Sequence, residues 1–428
     1  MPSFDTRVPA LLVRLDRNPF HHGTLGAARS LGRAGIPVHA LIESPDSPVA
    51  RSRYVRDVRV RPADPSPEAL VRELGELAAT LSAPAVLVPL DDVSALVLAR
   101  HRSELTDRYL LPEQPVRELD RVADKAALVE TCRALALPHP RTGIPGSADE
   151  AATMAWSLGL PVVAKWSRPW LLPPGAGLRS TSIVRSLAEV RALFARSPQA
   201  GSRLLLQELL PPGRDLDWFF HAYVDTAGRC RAGATGRKER SWPDGAGLTA
   251  VGRWVRNAEV ERTAHALLDA LGYRGVCDLD FRLDRSTGAY HLLDFNPRPG
   301  AQFRLFADSG GLDVVRALHL DLTGRPVPDH APAYGRRFVV ENYAALSVLA
   351  SPRRRGPGPC RSGRRGTETA WFAADDPVPA LAMGRAWFSH ALRKGSVTLR
   401  RILGSGPRRM SSAAPPAPRT SAQHMSRR

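Results

Sequence analysis

The chain has 428 residues, a formal charge of +18, and a composition that is 43% hydrophobic but only 6% aromatic. That length allows two to four domains, and that balance excludes fibrous and wholly disordered classes. No run of about 18 uninterrupted apolar residues occurs, and the opening MPSFDTRVPALLVRLDRN is broken by charge, so neither a secreted nor a membrane-spanning chain is expected.

The charge is unevenly placed. Between Ser351 and Arg428 sixteen Arg or Lys face three acids, which accounts for +13 and leaves the first 350 residues at +5. Within that region SPRRRGPGPCRSGRRG and the Pro/Ser/Arg-rich ending have the composition of chain that cannot bury enough apolar area to fold. A disordered basic tail is expected, with weak attraction to acidic polymers or lipid surfaces as the alternative. No zinc-finger spacing or RNA-recognition signature accompanies it, so no specific nucleic-acid partner is expected. Cys132, Cys230, Cys277 and Cys360 stand singly, without a CxxC pair, and read as reduced thiols of a cytoplasmic protein. Of the 60 basic residues only Lys125, Lys165, Lys238 and Lys394 are lysine. A chain that otherwise chooses arginine keeps lysine where a compact charge on a flexible stem is wanted.

In chain order, residues 8–15 (VPALLVRL) read as a buried strand, followed by the loop Asp16–Gly23 and a helix, TLGAARSLGRAG, that stops at glycine. Strands at 36–41 and 85–90 flank a helix at 67–81. Alternating strands and helices predict a parallel sheet whose ligands gather at the carboxyl ends, here Asp16–Gly23 and Asp91–Asp92. The first loop lacks GxGxxG, which argues against a dinucleotide fold. This domain is taken to end near Leu119. A helix beginning near Ala123 carries Lys125, the stretch LPHPRTGIPGSAD is a loop, and the helix 149–159 precedes a strand, 160–166, bearing Lys165 near its end. The following SRPWLLPPGAGLRSTSIV is a glycine-containing loop that either cradles phosphate or is an exposed turn. A helix, 187–196, and a leucine-rich strand, 203–210, lead to the alternating run DLDWFFHAYVD. The polar stretch 235–247, TGRKERSWPDGAG, reads as a loop with Arg237 and Lys238, and the helix 257–272 precedes a hairpin.

In that hairpin Asp278, Asp280 and Arg282 share one strand face, while Leu293 and Phe295 are expected in the core with Asp294 and Asn296 on the opposite side. The two polar faces coincide only with an odd loop or a bulge, and a five-residue loop, Arg285 to Ala289, sets Asp280 opposite Asp294. Paired carboxylates about 4 Å apart repel by roughly 4 kcal/mol at an effective dielectric near 20, so a cation belongs between them. Oxygen-only ligands suit Mg²⁺. A solvent-facing hairpin with ordinary surface acids is the bland alternative.

Together these segments resemble the ATP-grasp superfamily of carboxylate-activating ligases from about Asp120 to Gly324. The most specific piece is GVCDLDFRLDRSTGAYHLLDFNPRPG, similar to the family's acidic strand, charged turn and acid-x-Asn-Pro-Arg ending. The resemblance implies a Rossmann-like N-terminal α/β domain (1–119), an α+β ATP-grasp domain (120–330), a C-terminal extension (331–395) and the basic tail (396–428). It implies Asp280, Asp294 and Asn296 as ligands of Mg²⁺, with Mn²⁺ as the substitute ion. Lys125 and Lys165 would contact ATP phosphates, and Gln207, Glu208, Leu209 and Leu210 would form the adenine hinge, with Asp215 on the ribose. Arg298 would hold the transferred phosphate, Arg282 would reach the γ-phosphate, and Arg237 and Lys238 would position the carboxylate. Asp stands at both metal positions where the family more often has Glu, and the phosphate loop PPGAGLRS is unusual. Segments such as GRRFVVENY and WFAADDPVPAL look like the actinobacterial peptide-bond-forming ligases related to D-aspartate ligase. The implied reaction activates a small carboxylate as an acyl phosphate and joins it to an amine, releasing ADP. A carboxylase, a thiol ligase and a non-catalytic nucleotide binder are the rivals, and a homo-oligomer is left open.

Overall fold

A computed structural model describes residues 2–64, 66–243, 247–350 and 366–389; Lys394 and the tail predicted to be disordered lie outside these residues. By internal contacts the chain forms one unit over Met1–Met383 and a second over Gly384–Arg428.

The first sheet is parallel throughout, with β1 (Ala10–Val13), β2 (Val38–Ile42), β3 (Val55–Val60), β4 (Ala85–Pro89) and β5 (Tyr109–Leu110) in the order β3-β2-β1-β4-β5. β1 is apolar and fully buried, as a strand covered on both faces must be. The sequence reading missed β3, whose sequence VRDVRV is half charged and which lies at the sheet edge. The order reverses between β1 and β4, so the loops leaving their carboxyl ends flank a crevice. Asp91 ties those loops together: its carboxylate accepts from the backbone N–H of Leu15 and, at 2.9 Å, of Asp16, and its other oxygen caps the helix Asp92–Arg100 through Ser94 N at 2.7 Å.

A four-stranded sheet follows, with β6 (Thr142–Gly143), β7 (Val162–Trp166), β8 (Thr181–Val184) and β9 (Leu204–Glu208) in the order β6-β9-β7-β8. β6 and β8 lie within stretches read as loops, because each is short and flanked by Pro and Gly. The helix expected near Ala123 is two helices, Val116–Ala123 and Lys125–Ala134, broken at Asp124. That aspartate caps the second by accepting from Ala126 N at 2.9 Å, which makes Lys125 its first residue.

The third sheet has seven strands, β10 (Asp217–Val224), β11 (Cys230–Trp242), β12 (Leu248–Trp254), β13 (Gly275–Leu283), β14 (Tyr290–Asn296), β15 (Arg337–Val339) and β16 (Thr367–Thr369), ordered β14-β13-β10-β11-β12-β15-β16. β15 and β16 come from beyond residue 330, so the sheet is completed by the C-terminal extension. Trp218, Phe220, Leu279, Phe281, Leu292 and Phe295 share a core with the helix Ala258–Ala270.

Two expectations are corrected here. The stretch from Thr235 to Trp242 is strand, not loop: its charged side chains hid a ladder that pairs Gly236 with Phe219 and Lys238 with Gly252. In the hairpin Asp280 does pair with Asp294, yet not through a five-residue loop, since Leu283 pairs with Tyr290. A bulge at Leu293 restores the parity, because Phe281 pairs with Leu292 and Asp280 with Asp294. The core residue is therefore Leu292, 3% exposed, whereas Leu293 turns to the cleft.

Candidate active site

A cleft of about 760 Å³ runs between the carboxyl-end loops of the first sheet, the second sheet and the exposed face of β13 and β14. Of the residues singled out from the sequence, Lys125, Lys165, Gln207, Glu208, Leu209, Leu210, Lys238, Asp280, Arg282, Asp294, Asn296 and Arg298 all line it. Three of the four lysines in the chain thus meet in one cleft.

The floor is built of three cross-strand rows. Asp217 pairs with Arg282; Phe219 with Asp280 and then Asp294; His221 with Asp278 and then Asn296. Because partners across an antiparallel ladder point the same way, each row delivers its side chains to one face. Asp280 Oδ1 lies 2.7 Å from Lys238 Nζ, and Asp294 Oδ1 accepts from Lys125 Nζ at 2.5 Å. Lys165 Nζ donates to the Leu293 carbonyl at 2.9 Å, so the bulge supplies an acceptor in the cleft wall. Arg298 is shared: NH2 donates to Asn296 Oδ1 at 3.2 Å, Nε lies 3.3 Å from Asp92 Oδ1, and NH1 lies 3.7 Å from Asp278 Oδ2. Arg282 donates to Asp217 at 2.6 Å and to the Leu210 carbonyl at 3.1 Å, locking the end of the predicted adenine hinge.

Burial and charge oppose one another here. Burial pushes the Lys165 ammonium down to about 8, against the pull of Asp294. Burial also raises the Asp280 carboxyl, with the neighbouring carboxylates of Asp278 and Asp294 adding to the rise and Lys238 opposing it. Asp294 resists its own desolvation because Lys125 and Lys165 hold it below the usual carboxylate range.

Asp215 and Arg237 are not part of the lining. Arg237 pairs in register with Trp218, on the face opposite Lys238, and its guanidinium lies over that ring at 5.9 Å and 3.2 Å from Asp215. Asp217, two residues on, lines the cleft instead. From the glycine-containing loop only Pro169, Ser180 and Thr181 join the lining. Asp92, His21 and His22 line the cleft from the two loops expected to face a site, whereas the sequence reading named no role for Gln302 and Tyr343 in the lining or for the buried pair His221 and Asp278. The alternation DLDF signals Asp278, while nothing local signals its histidine partner four strand residues from Asp217.

The donor set fits a magnesium ion. Among the described residues no group of three or more His, Cys, Asp or Glu side chains could hold a metal alone. What the floor offers is the opposed carboxylates of Asp280 and Asp294 with the amide oxygen of Asn296 two residues along. Oxygen ligands of that number suit an ion that keeps water and phosphate in its shell. Asp280 Oδ1 is engaged by the Lys238 ammonium at 2.7 Å, so an ion held there would share this carboxylate with the lysine.

No family model matches the chain. D-aspartate ligase of Enterococcus faecium is 24% identical over 310 residues, which span 68% of this chain and 72% of that protein. N5-carboxyaminoimidazole synthetase of Staphylococcus aureus, complexed with ADP, superposes with a TM-score of 0.59 at 14% identity, covering 79% of this chain and 82% of the other. The biotin carboxylase domain of Hydrogenobacter thermophilus 2-oxoglutarate carboxylase, in complex with MgADP and bicarbonate, gives a TM-score of 0.58 at 17% identity over 77% and 73%. The chain has the fold of the ATP-grasp ligases.

Proposed function

We propose that this protein is an ATP-dependent carboxylate-amine ligase, with Mg²⁺ as its metal. The observation that carries this reading is the floor of opposed Asp280 and Asp294 ringed by Lys125, Lys165, Lys238 and Arg298, with the loops of the first sheet closing the same cleft. The likeness to D-aspartate ligase supports it.

In this reading one substrate carboxylate oxygen attacks the γ-phosphorus and ADP leaves. The amine nitrogen then attacks the acyl carbon, phosphate leaves, and the nitrogen loses its proton to phosphate or water. Mg²⁺, when held by Asp280, Asp294 and Asn296, supplies charge neutralisation between the phosphates. Lys125 and Lys165 neutralise phosphate oxygens, and the chain from Gln207 to Leu210 receives the adenine, with Asp217 rather than Asp215 facing the cleft there. Arg298 and Lys238 would meet the charge that gathers on the transferred group. Positioning and fixed charge supply the catalysis; no side-chain nucleophile is required.

Residues 1–119 would then select substrates, 120–330 would hold nucleotide and metal, and 331–395 would complete the sheet beneath them. The reading makes it a cytoplasmic enzyme of small-molecule substrates; no helix among the described residues is long and apolar enough to cross a membrane. The test is an ADP-release screen with Mg·ATP against a matrix of amino acids and amines, with bicarbonate and thiols as further arms. Mass spectrometry of an amide product supports the ligase; a carboxylated or thioester product, or no ADP with any pair, overturns it.

A further inference from the structure

His221 and Asp278 form a pair that the ligase reading leaves without a task. His221 is fully buried in the interior strand β10, and its Nε2 lies 2.9 Å from Asp278 Oδ1. Its Nδ1 is buried without a hydrogen-bond partner, and the ring lies beside those of Phe219 and Phe306 at 5.4 and 5.1 Å, so Nε2 is the nitrogen that engages the carboxylate of Asp278. Gly300 closes over the pair: a Cβ there would stand 2.3 Å from the imidazole Cε1 and 2.7 Å from the Asp278 carboxyl carbon. Gln302 Nε2 stands 3.5 Å from the same imidazole nitrogen, Nε2.

The carboxylate so held has only its second oxygen to offer. Asp278 Oδ2 lies 3.7 Å from Arg298 and 3.5 Å from Asn296 Nδ2. Arg298 is thereby spread over Asn296, Asp92 and Asp278 without a bidentate lock on any one of them. A carboxylate released from His221 would be free to turn both oxygens to the guanidinium, the geometry in which Arg–carboxylate pairs are strongest. That would quench the charge that an incoming phosphoryl group needs.

We infer that His221 is a positioning residue: through Asp278 it keeps Arg298 ordered but electrostatically available at the cleft. This rests on the nucleotide-dependent reading above, and its test is chosen to separate the two. His221→Phe keeps a ring beside Phe219 and Phe306 but removes Nε2; His221→Gln keeps a donor. Gly300→Ala wedges the pair from outside. The measurements are kcat and KM for ATP, melting temperature, and the affinity for Mg·ADP with and without aluminium fluoride, which mimics the phosphoryl group in transfer.

His221→Phe is expected to bind Mg·ADP within about twofold of wild type yet lose roughly tenfold or more of the affinity added by aluminium fluoride, with kcat lowered about 10- to 100-fold and KM for ATP little changed. His221→Gln should restore most of both, and Gly300→Ala should repeat the loss, including in the event that the phenylalanine variant does not fold. An unchanged fluoride gain in His221→Phe and Gly300→Ala overturns the inference, as does equal impairment of the phenylalanine and glutamine variants that tracks a common fall in melting temperature. A wild-type chain that fails to bind Mg·ADP overturns the nucleotide reading itself.

Discussion

Asp280 and Asp294 stand opposite one another across β13 and β14, yet each is neutralised by a different lysine, Lys238 from β11 and Lys125 from a helix start. The pair is thus held between cations from two sides of the cleft. Replacing Asp294 by Asn keeps the shape and removes one charge. ADP formation should fall by more than about a hundredfold while circular dichroism stays unchanged, the size expected when a group aimed at the reacting phosphates is lost. Turnover near the wild-type rate in that variant would remove Asp294 from the metal site.

Strand parity separates two adjacent bases. Lys238 lines the cleft and pairs with Asp280, whereas Arg237 lies over Trp218 on the other face. Lys238→Ala should lower ADP release by about a hundredfold or more, and Arg237→Ala should leave it within about threefold, as for a surface change away from the reacting groups. Side-by-side initial rates at saturating ATP check both.

Lys165 carries a pH dependence. Its ammonium is depressed to about 8 by burial, so the free protein loses this charge as pH rises through that value. Affinity for Mg·ATP should weaken above pH 8 by up to about tenfold per pH unit, and Lys165→Arg should flatten the profile; isothermal titration from pH 7 to 9.5 reads it. For stability the sign is opposite. The folded value lies below the ordinary 10.5, so the unfolded chain binds more protons between these limits, and the contribution of this group to stability rises across that window and is lost as pH falls through about 8.

Arg29 and Asp376 form a buried pair at 2.9 Å, and Asp376 also accepts from Ser52 Oγ at 2.7 Å and Arg53 N at 3.0 Å. Arg29 donates in addition to the carbonyls of Ala370, Trp371 and Asp376. This network fastens the stretch 370–376 onto the first sheet's helix and loops. Asp376→Ala strands a buried guanidinium and should cost about 3–5 kcal/mol, read as a lower urea midpoint, whereas the exposed Asp46→Ala should change it by less than about 0.5 kcal/mol.

Much of the candidate site was legible in the sequence. The alternation DLDF and the spacing LLDFN announce their carboxylates because β-period arithmetic is local, and the scarcity of lysine marked Lys125, Lys165 and Lys238. The buried apolar strands β1 and β4 announced a parallel sheet for the same reason. Reading failed where long-range pairing overruled local composition. TGRKERSW is charged enough to pass for a loop, but its neighbours β10 and β12 supply the ladder that makes it a strand.

The amino-acid sequence alone supplied the candidate side chains, Asp280, Asp294, Asn296, three lysines and Arg298, because type and period are properties of neighbours along the chain. Only the tertiary structure decided how they are aimed. A bulge at Leu293 shifts the strand phase by one residue, strand pairing turns Lys238 in and Arg237 out, and His221 meets Asp278 across a ladder. Register is set by hydrogen bonds between segments far apart in the chain, and no local pattern encodes it.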